Sequence, residues 1–188
     1  MPIATTLILP GLGNSGPAHW QTLFEQADPT SIRVVQDEWD APACADWVAR
    51  LERAVNAVDG AVIFVAHSSS CALVAHWAAA ASDTARSKIA GALLVAPSDP
   101  DGPNYPSGPT GFSPVPLDQL PFRTIVVASD DDRYITLARA TEYATAWGSE
   151  LVTLHGAGHI NAAAGFGAWP AGAALLESLR ASVDRRAH

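Results

Sequence analysis

The sequence predicts an α/β fold in which helices cover both faces of a six-stranded, mainly parallel sheet. Short apolar segments alternate along the chain with segments of helical periodicity, a pattern typical of strand–helix–strand units. The apolar segments run continuously instead of alternating with polar residues, as expected for strands buried on both faces. The chain has 188 residues, 48% of them hydrophobic and 16% charged, enough for one domain with a sizeable core. We therefore expect a single doubly wound domain over residues 1–188, with three layers of helix, sheet and helix.

The first half of the chain predicts three strands and three helices. Pro17 suits the first turn of the first helix, because the N–H that proline lacks would have no partner there. That helix presents apolar residues at positions i, i+3, i+4 and i+7, namely Trp20, Leu23, Phe24 and Ala27. The second helix has an apolar stripe opposite its charged side chains. We place strands at 5–9, 32–35 and 61–66, and helices from 17, over 42–58, and after the third strand up to about 81.

The second half of the chain predicts three further strands, two helices and one long loop. Gly148 closes one helix and Pro170 begins the other. Residues 97–121 are rich in Pro, Gly, Ser and Asp without periodicity, and loops of this length are usually functional or mobile. We expect Tyr105 and Phe112 of this loop to border a ligand pocket. The strands are placed at 89–96, 123–129 and 151–154, and the helices at 136–147 and 170–183.

Composition excludes several classes of partner. The net charge is −8 and Lys88 is the only lysine, so a nucleic acid would be repelled. Cys44 and Cys71 form neither a disulfide framework nor a metal cluster, and we expect no metal and no cofactor. The N-terminus lacks a basic segment followed by an apolar one, and the longest apolar run, 71–81, is too short to span a bilayer. We therefore expect a cytoplasmic location without membrane partners, whereas the sequence leaves the oligomeric state open.

A serine stands at the junction of the third strand and the following helix. The junction reads Ala66-His67-Ser68-Ser69-Ser70, which resembles the G-x-S-x-G nucleophile elbow with both glycines replaced by other small residues. Small residues are needed at the outer positions because the helix packs closely against neighbouring strands. The setting predicts that Ser68 is a nucleophile. The alternative is that Ser68 is an ordinary helix N-cap, a position that favours serine.

Aspartate and histidine follow later strands in the order that a serine hydrolase requires. Asp130, Asp131 and Asp132 follow the fifth strand, and His159 follows the sixth. The loops after parallel strands share one edge of the sheet, where open α/β proteins bind ligands. A serine hydroxyl needs a base to take its proton, and His159 can do this if a carboxylate holds its other nitrogen. The order Ser…Asp…His is that of α/β-hydrolases, and each aspartate of the triplet remains open as the acid.

The first loop offers backbone donors for an oxyanion. One donor is expected to be the N–H of Ser69, which follows the nucleophile, and the second the N–H of Leu12. The glycines of residues 10–16 let the backbone approach closely. We expect His76 and His155, within a helix and a strand, to have structural roles. We assign the substrate pocket to Gly11, Gly13, Asn14, His19 and His67, with His67 packed behind the nucleophile.

Two other functions compete with hydrolysis. Residues 11–16 also fit G-x-G-x-x-G after a strand, and Asp37 lies about 20 residues further on, which is the dinucleotide-binding pattern. Against an NAD(P)-dependent oxidoreductase, the chain has no Tyr-x-x-x-Lys pair and little room for a substrate domain. The loss of the elbow glycines favours a third hypothesis, a catalytically idle interaction protein on the same fold.

Four stretches of the chain carry a family resemblance. They read PGLGNSGPAHW at 10–20, AHS at 66–68, ASDDDRY at 128–134, and GHINA at 158–162 followed by GAWP at 167–170. With these motifs the chain resembles the small, lid-less α/β-hydrolases related to retinoblastoma-binding protein 9. The resemblance implies strand order 2-1-3-4-5-6, no large lid, and hydrolysis of a small-molecule ester or amide by a serine. It also implies that Asp132 is the triad acid, with Arg133 where the family usually has proline.

Overall fold

Six parallel strands form the sheet of the computed structural model, which describes residues 4–186. Their order is β2-β1-β3-β4-β5-β6, as the resemblance implies. All five pairs of neighbours run parallel, so the sheet is entirely parallel instead of mainly so. The strands are β1 (Thr5–Leu9), β2 (Ser31–Arg33), β3 (Val62–His67), β4 (Ile89–Val95), β5 (Arg123–Ser129) and β6 (Glu150–Leu154).

The five predicted helices are present, with bounds within three residues of those predicted. The first helix begins at Trp20 and not at Pro17, because His19 caps it by accepting a hydrogen bond from the N–H of Gln21 (3.2 Å). A short helix after the third long one escaped prediction, since five residues are too few to show helical periodicity. The helices are α1 (Trp20–Ala27), α2 (Cys44–Asn56), α3 (Ser69–Ala80), α4 (Asp83–Ser87), α5 (Leu137–Trp147) and α6 (Pro170–Arg186), with a 3₁₀ turn at Ala162–Ala164.

The sheet separates two hydrophobic cores. Phe64 and Ala66 of β3 face a core built with α2, α3 and α5, whereas Ile63 and Val65 face one built with α1 and α6. Successive side chains of a strand point to opposite faces, so a strand covered on both sides must be apolar throughout. This arrangement explains the continuous apolar segments of the sequence. Among the described helices, none is long and apolar enough to cross a membrane.

The loop between β4 and β5 is irregular, as predicted, and reaches both a core and the sheet edge. Phe112 is buried against Trp47, with ring centroids 5.6 Å apart, and its carbonyl accepts a hydrogen bond from His76 Nε2 (2.9 Å). The prediction that Phe112 borders the pocket is therefore wrong, because this apolar ring fills the core beside α2. Tyr105 instead donates a hydrogen bond to the hydroxyl of Ser69 (3.2 Å), at the carboxyl edge.

Candidate active site

Ser68 occupies a strained turn between β3 and α3. Its backbone has φ 60° and ψ −127°, a conformation that is costly for a residue with a side chain and that recurs at functional sites. A Cβ atom on Gly11 would lie 2.7 Å from Ser68 Cβ, so only glycine at position 11 leaves room for this serine. Ser70 ties the elbow to the first loop by donating a hydrogen bond to the carbonyl of Pro10 (2.6 Å).

Ser68, His159 and Asp132 lie in contact. Ser68 Oγ is 2.9 Å from His159 Nε2, and His159 Nδ1 is 2.7 Å from Asp132 Oδ2. The carboxylate of Asp132 has no solvent exposure, and its second oxygen accepts a hydrogen bond from the N–H of Tyr134 (2.9 Å). With the Nδ1 proton directed at a carboxylate, Nε2 is the nitrogen that can take the serine proton. The geometry is that of a hydroxyl activated by an oriented base.

The three consecutive aspartates bind three successive parts of the loop after β6. Asp130 pairs with the exposed His155, Asp131 accepts a hydrogen bond from the N–H of Gly158 (2.7 Å), and Asp132 contacts His159. The hydrogen bonds that Asp130 and Asp131 accept lower the pKa of each carboxyl, the first chiefly through the N–H of Gly156 and the second through the hydroxyl of Ser129. Asp130, the alternative acid, therefore contacts His155 and the N–H of Gly156 and not His159. His155 was expected within a strand, but β6 ends at Leu154.

His67 holds the backbone of the candidate base. Its Nε2 donates a hydrogen bond to the carbonyl of His159 (2.9 Å), and the two ring centroids are 4.9 Å apart. Burial, with smaller contributions from His159 and His19, holds the pKa of His67 well below its usual range. The imidazole is therefore neutral, and it positions His159 without competing with it for a proton.

Two backbone N–H groups belong to the segments on either side of the turn at Ser68. Ser69 is the first residue of α3, where helical N–H groups have no intrahelical partner, and Leu12 lies in the loop after β1. Within residues 4–186, neither N–H donates a hydrogen bond to a protein acceptor. The loop is held by bonds from Gly13 N to the Trp39 carbonyl (3.0 Å) and from Asn14 N to the Gly11 carbonyl (3.2 Å). Leu12 and Ser69 are both among the residues that line the cavity at Ser68.

A cavity of about 190 Å³ opens at Ser68, smaller than the roughly 300–1,000 Å³ of sites for drug-sized ligands. Of the five residues assigned to the pocket, Asn14, His19 and His67 line it and Gly11 and Gly13 do not. Gly11 lies against Ser68 instead, and Gly13 is exposed with no atom within 4 Å of where a Cβ would be. The lining residues are Leu12, Asn14, His19, His67, Ser68, Ser69, Ser98, Pro106, Tyr134, His159 and Asn161.

Ser98 is a lining residue beside Ser68 that the sequence did not predict. Its hydroxyl lies 2.9 Å from that of Ser68, and the residue is almost fully buried. It follows β4 by way of Ala96, whose φ is 47°. The non-glycine residues with positive φ in residues 4–186 are Asn14, Ser68, Ala96 and Ile160, each in a loop that follows a strand at this edge. Strain concentrated in this way is characteristic of functional sites.

The parallel sheet, its strand order and the turn at Ser68 define an enzyme of the α/β-hydrolase class. The family model described as serine hydrolase matches residues 6–178, and the chain belongs to this family. Membership supports a hydrolytic enzyme and neither of the alternatives, oxidoreductase or idle interaction protein. In keeping with this, Asp37, the acidic residue of the dinucleotide pattern, forms an ion pair with Arg50. The narrower resemblance to the retinoblastoma-binding protein 9-like hydrolases stays a prediction.

Solved structures with the same fold include hydrolases. A candidate YdeN-like hydrolase from Pectobacterium atrosepticum is 32% identical, with a TM-score of 0.84 over 96% of this chain and 92% of that one. The ydeN gene product of B. subtilis is 18% identical, with a TM-score of 0.71 over 94% and 98% of the two chains. Esterase 2 of Thermogutta terrifontis is also 18% identical, with a TM-score of 0.61 over 95% and 81%, and at such identities the likeness concerns the fold alone. No curated protein sequence matches the chain significantly.

Proposed function

We propose that this serine hydrolase cleaves small esters or amides through Ser68, His159 and Asp132, by way of an acyl-enzyme. The observation that carries the proposal is the unbroken chain of contacts from hydroxyl to imidazole to buried carboxylate, at 2.9 Å and 2.7 Å. A serine hydroxyl is a weak nucleophile until such a base takes its proton. The resemblance to retinoblastoma-binding protein 9-like hydrolases supports the same assignment of all three residues.

The reaction follows from the roles of these groups. Ser68 Oγ attacks the substrate carbonyl while its proton passes to His159 Nε2, and Asp132 stabilises the resulting imidazolium. We assign the N–H groups of Leu12 and Ser69 to the oxyanion that forms on the carbonyl oxygen. His159 then gives the proton to the leaving alcohol or amine, and the acyl group stays on Ser68. A water molecule, deprotonated by His159, attacks the acyl-enzyme; the bond between the acyl carbon and Ser68 Oγ breaks, His159 returns the proton to Ser68 Oγ, and the acid leaves.

The site favours small, uncharged substrates. The cavity of about 190 Å³ accommodates a short acyl group, and none of its lining residues is a lysine, arginine, aspartate or glutamate. An anionic substrate would therefore meet no countercharge there, and the protein as a whole carries a net charge of −8.

Hydrolysis of p-nitrophenyl acetate by the wild type and by Ser68→Ala tests the proposal. The wild type should release a burst of p-nitrophenolate as the acyl-enzyme accumulates, and Ser68→Ala should lose about a thousandfold or more in rate. Ser87→Ala, at an exposed serine of α4, is the matched control and should keep the wild-type rate. Equal rates for the wild type and Ser68→Ala would refute the proposed nucleophile.

A further inference from the structure

Three polar side chains that line the cavity have donor groups without a protein acceptor in the described part of the chain. The first of them is Asn14. Its Oδ1 accepts hydrogen bonds from the N–H of Ser15 (2.7 Å) and from Arg33 Nη1 (3.0 Å). Because both partners are donors, the oxygen and nitrogen of this amide are distinguished, and Nδ2 is the group left over. Among the described residues, no protein acceptor takes a hydrogen bond from Nδ2, and Asn14 lines the cavity.

Asn161, two residues beyond His159, resembles Asn14 in that a backbone N–H binds its amide oxygen. Its Oδ1 caps the 3₁₀ turn by accepting a hydrogen bond from the N–H of Ala164 (3.0 Å). The backbone therefore occupies one of the two acceptor sites of this amide oxygen. Its Nδ2 group has no acceptor within residues 4–186, and Asn161 also lines the cavity.

His19 contributes a third neutral donor. Its Nδ1 accepts a hydrogen bond from the N–H of Gln21 (3.2 Å), so the ring proton sits on Nε2. Burial, with the charges of Arg33 and His159 adding to it, lowers the pKa of His19 to about 4, and the ring is uncharged at neutral pH. His19 packs against His67 with ring centroids 4.8 Å apart and lines the same cavity.

In Asn14 and His19, internal N–H or guanidinium groups occupy the acceptor sites, and in Asn161 the N–H of Ala164 occupies one of the two acceptor sites of Oδ1. All three side chains keep a donor group that has no protein acceptor among the described residues. We infer that Asn14, Asn161 and His19 select esters or amides that carry a second, uncharged acceptor oxygen near the reacting carbonyl. Alkoxyacyl and hydroxyacyl groups, or alkoxyalkyl leaving groups, have this character. The inference rests on the proposed function, because it concerns the substrate of the same site. A donor that binds water in the free site loses that hydrogen bond when a purely aliphatic ligand covers it, whereas the oxygen-bearing ligand replaces the bond.

Two isosteric pairs of substrates test the inference. p-Nitrophenyl methoxyacetate and p-nitrophenyl butyrate differ by an oxygen in place of a methylene in the acyl chain. 2-Methoxyethyl acetate and butyl acetate differ in the same way in the alcohol. Each ratio of kcat/KM is divided by the ratio of hydroxide-catalysed rates, which removes intrinsic reactivity. The wild type should prefer the oxygen-bearing member of at least one pair by about threefold to tenfold, the value of one neutral hydrogen bond.

The variants Asn14→Asp and Asn161→Asp isolate the donor groups. Aspartate keeps the oxygen that binds Ser15 and Arg33, or Ala164, and replaces only the NH₂ group by oxygen. Both variants should fold with unchanged melting temperature, and at least one should lose the preference. Asn56→Asp, at an exposed position of α2, controls for the added charge and should keep the preference.

The outcomes separate this inference from the proposed function. If Ser68→Ala abolishes hydrolysis but neither pair shows a preference that an aspartate variant removes, the inference is overturned and the function stands. If hydrolysis does not depend on Ser68, both are overturned. A preference that falls at least about threefold in either aspartate variant, but not in Asn56→Asp, supports the inference.

Discussion

The hydroxyl of Ser98 lies 2.9 Å from the hydroxyl of Ser68, on a buried segment that follows the neighbouring strand β4. Ser68 Oγ also lies 2.9 Å from His159 Nε2, which receives the proton of Ser68 in the mechanism we propose. Ser98 is then the donor and Ser68 the acceptor in their mutual hydrogen bond. This occupies one lone pair of the nucleophile and holds the hydroxyl in one rotamer, with the other lone pair left for the carbonyl carbon.

Replacing Ser98 by alanine should therefore slow acylation without destabilising the protein. We expect the burst rate with p-nitrophenyl acetate to fall about threefold to tenfold, as for the loss of one neutral hydrogen bond. Ser98→Thr keeps the hydroxyl and should recover most of the rate, whereas a structural role would show in the melting temperature instead. An unchanged burst rate in Ser98→Ala would show that the contact does not assist the nucleophile.

The aspartate triplet offers a matched pair of variants. Asp132→Asn should lower kcat by about three to four orders of magnitude, because an amide cannot stabilise the imidazolium and favours the wrong tautomer of His159. Asp130→Asn should change kcat less than about threefold, since Asp130 pairs with the exposed His155. Steady-state kinetics of both variants at neutral pH distinguish the two acids. A larger loss in Asp130→Asn than in Asp132→Asn would contradict the assignment of the acid.

A second pair of variants tests the close approach of the first loop to the nucleophile. In Gly11→Ala the new Cβ would lie 2.7 Å from Ser68 Cβ, so the elbow or the loop must shift and activity should fall by at least tenfold, about 1.4 kcal/mol in the barrier. In Gly16→Ala the new Cβ would have no neighbour within 4 Å, and activity should be kept. Circular dichroism and kcat/KM of both variants check this. Equal activities of the two variants would contradict this prediction, because they would show that the loop can shift to accommodate a side chain at position 11 without loss of activity.

Stability should decline as the pH falls through the range in which unfolded histidine protonates. The pKa of His19 is about 4 in the folded protein, chiefly through burial, against an ordinary value of 6.5. Between these values the unfolded chain binds the proton and the folded one does not, so the free energy of unfolding falls as the pH is lowered. The neutral, buried His67 acts in the same direction.

Urea unfolding at pH 7 and pH 5 measures this dependence. From pH 7 to pH 5 the contribution of His19 should be about 1 to 2 kcal/mol. His19→Asn keeps an acceptor for the N–H of Gln21, since asparagine is a good N-cap, but does not titrate. The loss of stability between the two pH values should be smaller in this variant by that amount. The same loss in both proteins would contradict a neutral, buried His19.

Much of the fold follows from patterns that the sequence carries locally. Continuous apolar strands, the stripe of α2 and the small residues around Ser68 each depend on neighbours a few positions away. The helix α4 shows no such pattern, because its five residues span little more than one turn. The start of α1 depends on a cap from His19, a residue that sequence reasoning assigned to the pocket and not to helix capping.

The site is less predictable where tertiary contacts decide it. Aspartate is common in turns, so each of the three aspartates after β5 could be the partner of His159 as long as the position of the loop after β6 is unknown. Ser98 carries no motif, and its approach to Ser68 depends on the pairing of β3 with β4 and on the backbone of Ala96. The orientation of the Asn14 amide cannot be predicted from the sequence either, because a hydrogen bond from Arg33 of strand β2 to its oxygen determines which group is left as a donor.

The central claim is that Ser68 is the nucleophile and that His159 activates it. The most direct measurement is the mass of the protein after brief exposure to a fluorophosphonate, followed by mapping of the modified peptide. The wild type should carry one adduct, on Ser68, and His159→Gln should label at least about a hundredfold more slowly, as expected for loss of the general base. Labelling at a different serine, or a wild type that stays unmodified while a known serine hydrolase reacts, would contradict the account.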